Sequence, residues 1–435
     1  MNDKFNVLIL GSGGREHTLA WKIAKSTYLN QLYIAPGNGG TFNLAIHADI
    51  DVLNFEQIGL FCIKNKIDII VVGPEDPLVN GINNYFCADN TLNHIYVFGP
   101  ESNGAQLEGS KDFSKKFMQR HHIPTAKFKT FTIGQEKEAC LFLETMEAPY
   151  VLKADGLAAG KGVLIIDNLA EAKNSIIEML NGKFGAASSK VVIEEFLDGI
   201  EVSYFTINDG KNFVLLPEAK DYKRIGDGDK GLNTGGMGAV SPVLFATEEF
   251  TKKVISSIIE PTVKGLIADG INYQGFIFFG LINVNGVPKV IEYNCRMGDP
   301  ETEVVIPRLK SDLLEAIVLC KKQKLSEYII EIEDYYATTV MAVSKGYPES
   351  YKNGKTITLP SILDENQLLF HAGTIKKDKL ITNGGRVLAC TGLGKNLTKA
   401  LESSYKLIDV TDFEGINFRR DIGQDLLKLK NEEQH

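Results

Sequence analysis

The chain opens on a short apolar run, Phe5-Asn-Val-Leu-Ile-Leu10, closed by glycines, which reads as a buried strand. Gly11-Ser-Gly-Gly-Arg-Glu16 follows, and a helix is expected from about Arg15 to Lys25. The alternation then recurs. Gln31–Ala35, Ile67–Val72 and Ile95–Phe98 are apolar strands that each run into Gly and Pro, with helical stretches between them near Phe55–Asn65 and Leu78–Ala88. Strands alternating with helices imply a parallel sheet, whose ligands collect at the carboxyl ends of the strands. Three glycine-containing turns on that edge would gather Arg15, Glu16, Asn38, Glu75 and Asp76. Glycines that merely close tight turns are the alternative; the polar residues beside them favour a small-molecule pocket.

After Ser102 the pattern changes. Ser110-Lys111-Asp112 starts an amphipathic helix that Pro124 ends. Pro149–Ile166 reads as two strands around a glycine loop, a hairpin flap. Lys190–Leu197 is an apolar strand ending in acids, and Asp198-Gly leads from it to Glu201–Phe205. A long polar loop opens near Leu216 and runs past Gly235-Gly-Met-Gly238 to Pro242; a loop of that length in a compact domain is usually functional. Thr247–Ile267 is an amphipathic helix, and Gly275–Asn283 with Pro288–Asn294 forms a hairpin. Beyond a helix at Ser311–Lys322 lies a third texture: a strand at Ala337–Val343, strands carrying His371–Thr374 and Asn383–Ala389, and a helix at Leu397–Leu407. His371 is expected to be packed rather than catalytic, since no partner lies near it in sequence.

A chain of 435 residues exceeds one core, so about two to four domains are expected. The net charge, 47 minus 55 or −8, disfavours nucleic acid and anionic membranes as partners. The six cysteines are scattered without a C-x-x-C pair, which points to buried free thiols in a reducing compartment. No apolar run approaches the roughly 20 residues of a membrane span, and the N-terminus runs directly into a strand without the look of a signal peptide. A cytoplasmic location is expected.

Three motifs carry candidate chemistry. The first glycine turn aims backbone N–H groups and a helix dipole at an anion. It is not a dinucleotide fingerprint: Glu16 stands where the third glycine belongs, and the second strand ends in Pro36-Gly37-Asn38-Gly39-Gly40 without a ribose-binding acid. The second motif, Lys153-Ala-Asp-Gly-Leu-Ala-Ala-Gly-Lys-Gly162, looks like a P-loop, but its glycines are one residue too close, no Ser or Thr follows Lys161, and a strand comes next. As a hairpin it could close backbone N–H groups and two lysines over a triphosphate. The third is Lys289 to Glu303. On a strand, Glu292, Asn294 and Arg296 share one face, while Ile291, Tyr293 and Cys295 share the other. A carboxylate beside an amide carbonyl suits Mg²⁺, and the guanidinium offers a fork for carboxylate or phosphate. A solvated sheet edge accounts for that strand equally well on its own.

Taken together, Gly11-Ser-Gly-Gly-Arg-Glu-His17, Ala35–Gly39, Val72–Pro77, Lys153–Gly162, Glu195–Glu201, Asn233–Ala239, Glu292–Thr302 and Thr382–Val387 resemble, in order and over nearly the whole chain, the glycinamide ribonucleotide synthetases (phosphoribosylamine–glycine ligases), an ATP-grasp family of carboxylate–amine ligases. Tyr293 and Met297 stand where that family often has phenylalanine. The resemblance implies an α/β and α+β multidomain fold: an N-terminal Rossmann-like (pre-ATP-grasp) domain at 1–102, an ATP-grasp central domain at 103–124 and 190–326, its lid at 125–189, and a small C-terminal α+β domain at 327–430. It implies ATP-dependent joining of glycine to 5-phosphoribosylamine through a glycyl phosphate, the second step of purine synthesis. It implies Mg²⁺ or Mn²⁺ on Glu292 and Asn294. ATP would be held by Lys111, Lys153, Gly160, Lys161, Gly162, Glu194, Glu195, Leu197 and Glu201. Arg296, Asp221 and Asp299 would serve glycine and the transferred phosphoryl group. Gly13, Gly14, Arg15, Glu16, Asn38, Gly39, Glu75, Asp76, Gly235 and Gly236 would hold the other substrate. Small-molecule substrates only, and a monomer with a dimer as the alternative, complete the expectation. The competing classes are another ATP-grasp ligase, a non-catalytic nucleotide-binding module, and a nicotinamide-dependent oxidoreductase, the last opposed by Glu16.

Overall fold

A computed structural model of the chain describes residues 4–156, 162–185 and 190–432. Its N-terminal part is a parallel sheet in the order Ile46–His47, Leu29–Pro36, Phe5–Gly11, Ile69–Val72, Tyr96–Phe98. Val7 lies between Leu32 and Ile69, and Leu10 between Ala35 and Val72. Leu8 and Leu10 enter one apolar core and Val7 and Ile9 another, so the central strand is buried on both faces. That two-sided burial is why it reads as an unbroken apolar run. The helix expected over Leu78–Ala88 is two helices, Glu75–Val79 and Ile82–Ala88, because Gly81 between them adopts φ +81°.

The flap belongs to an antiparallel sheet in the order Phe128–Thr132, Lys190–Glu195, Tyr150–Ala154, Val163–Ile166. Lys190–Glu195, read from the sequence as opening the central unit, is therefore paired on both sides within the sheet of the flap. Next comes a sheet of Phe213–Leu215, Ile200–Asp209, Gln274–Val284 and Val287–Asn294. Asn285 (φ +52°) and Gly286 (φ +82°) make the two-residue turn that brings its last strand back. That strand carries a bulge: Glu292 pairs Gly280 and Val290 pairs Leu281, which leaves Ile291 unpaired. Val290, not Ile291, therefore joins Tyr293 and Cys295 in the core, against the strict alternation expected.

The long polar segment is not structureless. It supplies Lys220–Asp221 and Gly238–Ser241 to a sheet continued by Tyr336–Ser344, Arg386–Gly394 and Gln367–His371, and forms a small hairpin, Arg224–Gly226 with Lys230–Asn233. The C-terminal strands thus extend a sheet that the central segment begins. The helix from Glu248 to Ala268 has a π-turn at Ile255–Ile259, where Pro261 just beyond lacks an N–H for the regular ladder. All six cysteines are free; four are buried, but Cys87 is exposed and Cys140 half-buried. Among the described residues no helix is long and apolar enough to cross a membrane.

Candidate active site

At the first glycine turn the helix Gly14–Ile23 begins, and Glu16 folds back on its own N-terminus. One Glu16 oxygen accepts the Gly13 N–H at 2.6 Å and the other pairs with Arg15 Nε at 2.5 Å. A carboxylate thus sits where a dinucleotide phosphate would have to sit, the physical reason the fingerprint fails. Arg15 reaches on to the Met297 carbonyl (3.1 Å), and its backbone N–H points at Asp299 (3.3 Å). Asn38 donates its amide to the carbonyls of Ser12 (2.9 Å) and His371 (2.7 Å), while Gly39 N–H meets Thr374 (3.1 Å). A cleft of about 390 Å³ opens here, lined by Ser12, Gly13, Arg15, Asp51, Pro74 and Asp299 among others. Ser12 lies in the first glycine turn but is not among the site residues expected from sequence, and Asp51 carries no motif that would single it out.

Arg296 bridges two elements: its Nε lies 3.2 Å from Glu75 and its Nη2 2.8 Å from Glu108. Burial opposes its charge, but Glu108 and Glu75 more than offset that and hold it firmly protonated. Its Nη1 also donates to the Met297 carbonyl (3.3 Å), so all three nitrogens are already engaged, which a reading of Arg296 as a free fork did not foresee. Asp76 stands beside Glu75 on the same helix, its carboxyl raised by burial and by Glu75.

On the facing sheet the regular pairing of residues 292 to 294 puts Glu292 and Asn294 on one face, with Tyr293 behind them in the core. Burial alone would raise the Glu292 carboxyl, yet Lys223, Lys153, Lys111 and Arg296 lower it. Lys111 donates to the Gly156 carbonyl at 3.0 Å, at the root of the flap; burial lowers it and Glu292 opposes the fall. Lys153 pairs with buried Glu194 at 3.1 Å; the Glu194 carboxylate, expected among the ATP ligands, is turned to Lys153 and Lys115 instead. Glu195 accepts the Lys127 N–H (3.0 Å), Leu197 is half-buried beyond it, and Glu201 holds Lys223 at 2.6 Å. Gly162 closes the flap strand by accepting the Ala154 N–H (2.8 Å); Gly160 and Lys161 lie outside the described residues.

Asp221 is half-buried on the short strand Lys220–Asp221, its carboxyl raised by desolvation and by Glu201 against the pull of Lys223. Glu301 lies close by; burial and then Asp221 push it up to about 8. Asp299 is held by Arg386, whose Nη2 lies 2.9 Å from the carboxylate and whose Nη1 reaches the carbonyls of Asp299 and Gly235, both at 2.6 Å. Gly236, at φ +119°, packs on Pro300 where a side chain would not fit. Arg386, Lys115, Glu108 and Glu301 are site neighbours that the sequence did not single out. For Arg386 a signal existed, the Asn383-Gly-Gly-Arg386 turn.

Glu292 and Asn294 offer two hard oxygens. Among the described residues no group of three or more His, Cys, Asp and Glu is arranged to hold a metal ion. The donor set therefore fits a Mg²⁺-like ion that draws its remaining ligands from phosphate and water, rather than one caged by protein.

Three family models match the chain in sequence: Phosphoribosylglycinamide synthetase, N domain, over residues 5–108; its ATP-grasp (A) domain over 109–302; and its C domain over 337–425. A phosphoribosylamine–glycine ligase of Vibrio cholerae is 44% identical over 96% of this chain and 97% of its own length. A bifunctional purine biosynthetic protein of Pichia angusta is 44% identical over 98% of the chain, which spans 54% of that longer protein. The crystal structure of phosphoribosylamine–glycine ligase from Thermotoga maritima superposes with a TM-score of 0.82 at 37% identity, covering 96% of this chain and 99% of that one.

Proposed function

The chain belongs to the phosphoribosylglycinamide synthetase family, and on that premise we propose that it joins glycine to 5-phosphoribosylamine with cleavage of ATP, giving glycinamide ribonucleotide, ADP and phosphate. It is an ATP-dependent carboxylate–amine ligase with an ATP-grasp core between a Rossmann-like N-terminal part and an α+β C-terminal part. The observation that carries the site assignment is the sharing of one strand face by Glu292 and Asn294, with Lys223, Lys153, Lys111 and Arg296 near enough to hold the Glu292 carboxyl low.

In this reading the glycine carboxylate attacks the γ-phosphorus and ADP leaves; the amine then attacks the acyl carbon, phosphate leaves and the amine sheds a proton. Such chemistry asks for positioning and charge neutralisation more than for a strong base. Lys111 and Lys153 take ATP phosphates, Lys161 and the glycines of the flap cover them, and Glu195, Leu197 and Glu201 face adenine and ribose. Arg296, set by Glu75, Glu108 and the Met297 carbonyl, turns its remaining N–H groups to the glycine carboxylate, with Asp221 and Asp299 nearer the amine. Mg²⁺ or Mn²⁺ on Glu292 and Asn294 would neutralise phosphate charge. The N-terminal cleft takes the phosphoribosylamine. Glu16 and Asn38 act there by bracing the loops, since their polar atoms are already bonded. The divisions at 1–102, 103–124 with the remainder up to 326, and 327–430 are proposed as domains, with Lys190–Glu195 assigned to the lid because of its pairing. A cytoplasmic monomer is proposed.

The test is ADP release. It should require glycine and phosphoribosylamine together; release with bicarbonate or another carboxylate in place of glycine would move the chain to a sister activity. Glu292→Ala should lower turnover by roughly 10³-fold or more with an unchanged melting temperature. Near-normal turnover would remove the metal assignment.

A further inference from the structure

Two buried lysines share one oxygen of Glu194: Lys115 Nζ lies 2.8 Å from Oε2 and Lys153 Nζ 3.1 Å from the same atom. The other oxygen of Glu194 is buried without a hydrogen-bond partner. The two lysines are not equivalent. Lys115 sits on the helix Lys111–Arg120, one turn after Lys111, and is 2% exposed. Its ammonium also donates to Thr125 Oγ1 (2.8 Å), Thr125 donates to the Val290 carbonyl (2.7 Å), and the Val290 N–H is held by Pro124 (2.8 Å). Lys115 is therefore pinned between the lid sheet and the strand that carries Glu292. Lys153 has no hydrogen bond besides Glu194 among the described residues, and it stands on the flap strand facing Glu292 and Lys111.

A buried carboxylate stripped of its only cation is strongly disfavoured, so a lysine paired with it alone would be trapped. With a second, fixed lysine on the same oxygen, the first can leave. Burial pulls the Lys115 ammonium down to about 8, opposed by Glu194, so it remains charged near neutrality. We propose that Lys115 is a positioning residue of this ligase: it is the resident counter-ion of Glu194, and its presence lets Lys153 exchange that carboxylate for an ATP phosphate. This rests on the reading of Lys153 as a phosphate ligand given above.

Lys115→Met keeps the stem and removes the charge. Binding of a non-hydrolysable ATP analogue with Mg²⁺, followed by calorimetry on the full chain, should weaken by roughly 10- to 100-fold, and KM for ATP should rise by more than kcat falls. KM for glycine should stay within about twofold. The double variant Lys115→Met/Glu194→Gln removes the carboxylate that would hold Lys153 back, and should recover most of the lost affinity. Mere damage to packing would not be repaired by a second change at the same buried spot. Wild-type affinity in Lys115→Met, or a double variant no tighter than the single, overturns the proposal. Should Lys115→Met not fold, the double variant decides alone: affinity within about fivefold of wild type supports it, and a loss as large as that of Lys153→Met overturns it. Lys153→Met separates the two levels. Unchanged affinity there removes the phosphate reading of Lys153 itself; weakened affinity there beside an unaffected Lys115→Met removes only the role of Lys115.

Discussion

Both carboxyl oxygens of Glu303 are buried and without a hydrogen-bond partner, against Gly14, where a side chain would collide with them. Burial first, and Asp299 next, push its pKa well above the ordinary carboxylate range, with Arg386 opposing. A folded-state pKa above the unfolded value means that the stabilising contribution is complete below about pH 4.3 and is lost as the pH rises toward the folded value. Glu303→Gln keeps the shape and cannot ionise. It should therefore raise stability by roughly 1–3 kcal/mol at pH 8 and by little at pH 4.5. Urea midpoints of both proteins at the two pH values check this; equal gains at both would show that ionisation is not the cause. At this scale the sequence was legible where side-chain parity alone decides. Alternation placed Glu292 and Asn294 together, as the strand has them. It misplaced Ile291, because the bulge depends on pairing with Gly280 and Leu281, and it could not supply the Glu75 and Glu108 partners of Arg296, 221 and 188 residues away.

Among elements, the link with most bearing on catalysis joins the flap to the helix of Lys111. Ser110 caps that helix by accepting the Phe113 N–H (3.1 Å) and donates its own proton to Asp155 (3.0 Å) at the foot of the flap. Asp155 also accepts the Asp112 N–H at 2.9 Å, so a carboxylate lies on the helix N-terminus. Asp155→Ala should cost about 1–2 kcal/mol of stability. Because Lys111 and the flap lose their common anchor, KM for ATP should rise several-fold while KM for glycine holds. Steady-state kinetics beside a thermal melt decide between this and a purely structural effect, in which both KM values would be unmoved. The helix start and the hairpin were each readable, from a Ser cap and from a glycine loop between apolar runs. Their meeting was not, since the two segments are 43 residues apart. The long polar segment was misread as a loop because its strands are very short: Gly238–Ser241 is ordered by Ala337–Val340 far along the chain, and Arg224–Gly226 by the local hairpin with Lys230–Asn233.

For the molecule as a whole, the first two glycine turns are held from the far end of the chain. Asn38 reaches the His371 carbonyl, Gly39 N–H reaches Thr374, and the His371 N–H is taken by His17 Nδ1 at 2.8 Å. His371 is thus packed, as expected, but it does have partners: its ring Nδ1 lies 3.1 Å from Thr374 Oγ1, three residues on, and its backbone is taken by the first helix. The architecture was legible because α/β alternation and an α+β ending leave periodic signatures; the closure of first turns on last strands leaves none. Arg386 makes this closure testable. It ties the C-terminal sheet to Asp299 and to the Gly235 carbonyl with a planar fork that lysine cannot reproduce. Arg386→Lys should lower kcat/KM for phosphoribosylamine by roughly 10- to 100-fold, because two loops lose their common setting. The proposed ATP ligands Lys111 and Lys153 lie elsewhere, so ATP affinity should change by less than about twofold. Paired measurements of phosphoribosylamine kinetics and ATP binding check this. An equal loss in both would mean that Arg386 supports the fold at large; no loss in either would mean that the Gly235 and Asp299 loops hold their places without the C-terminal sheet.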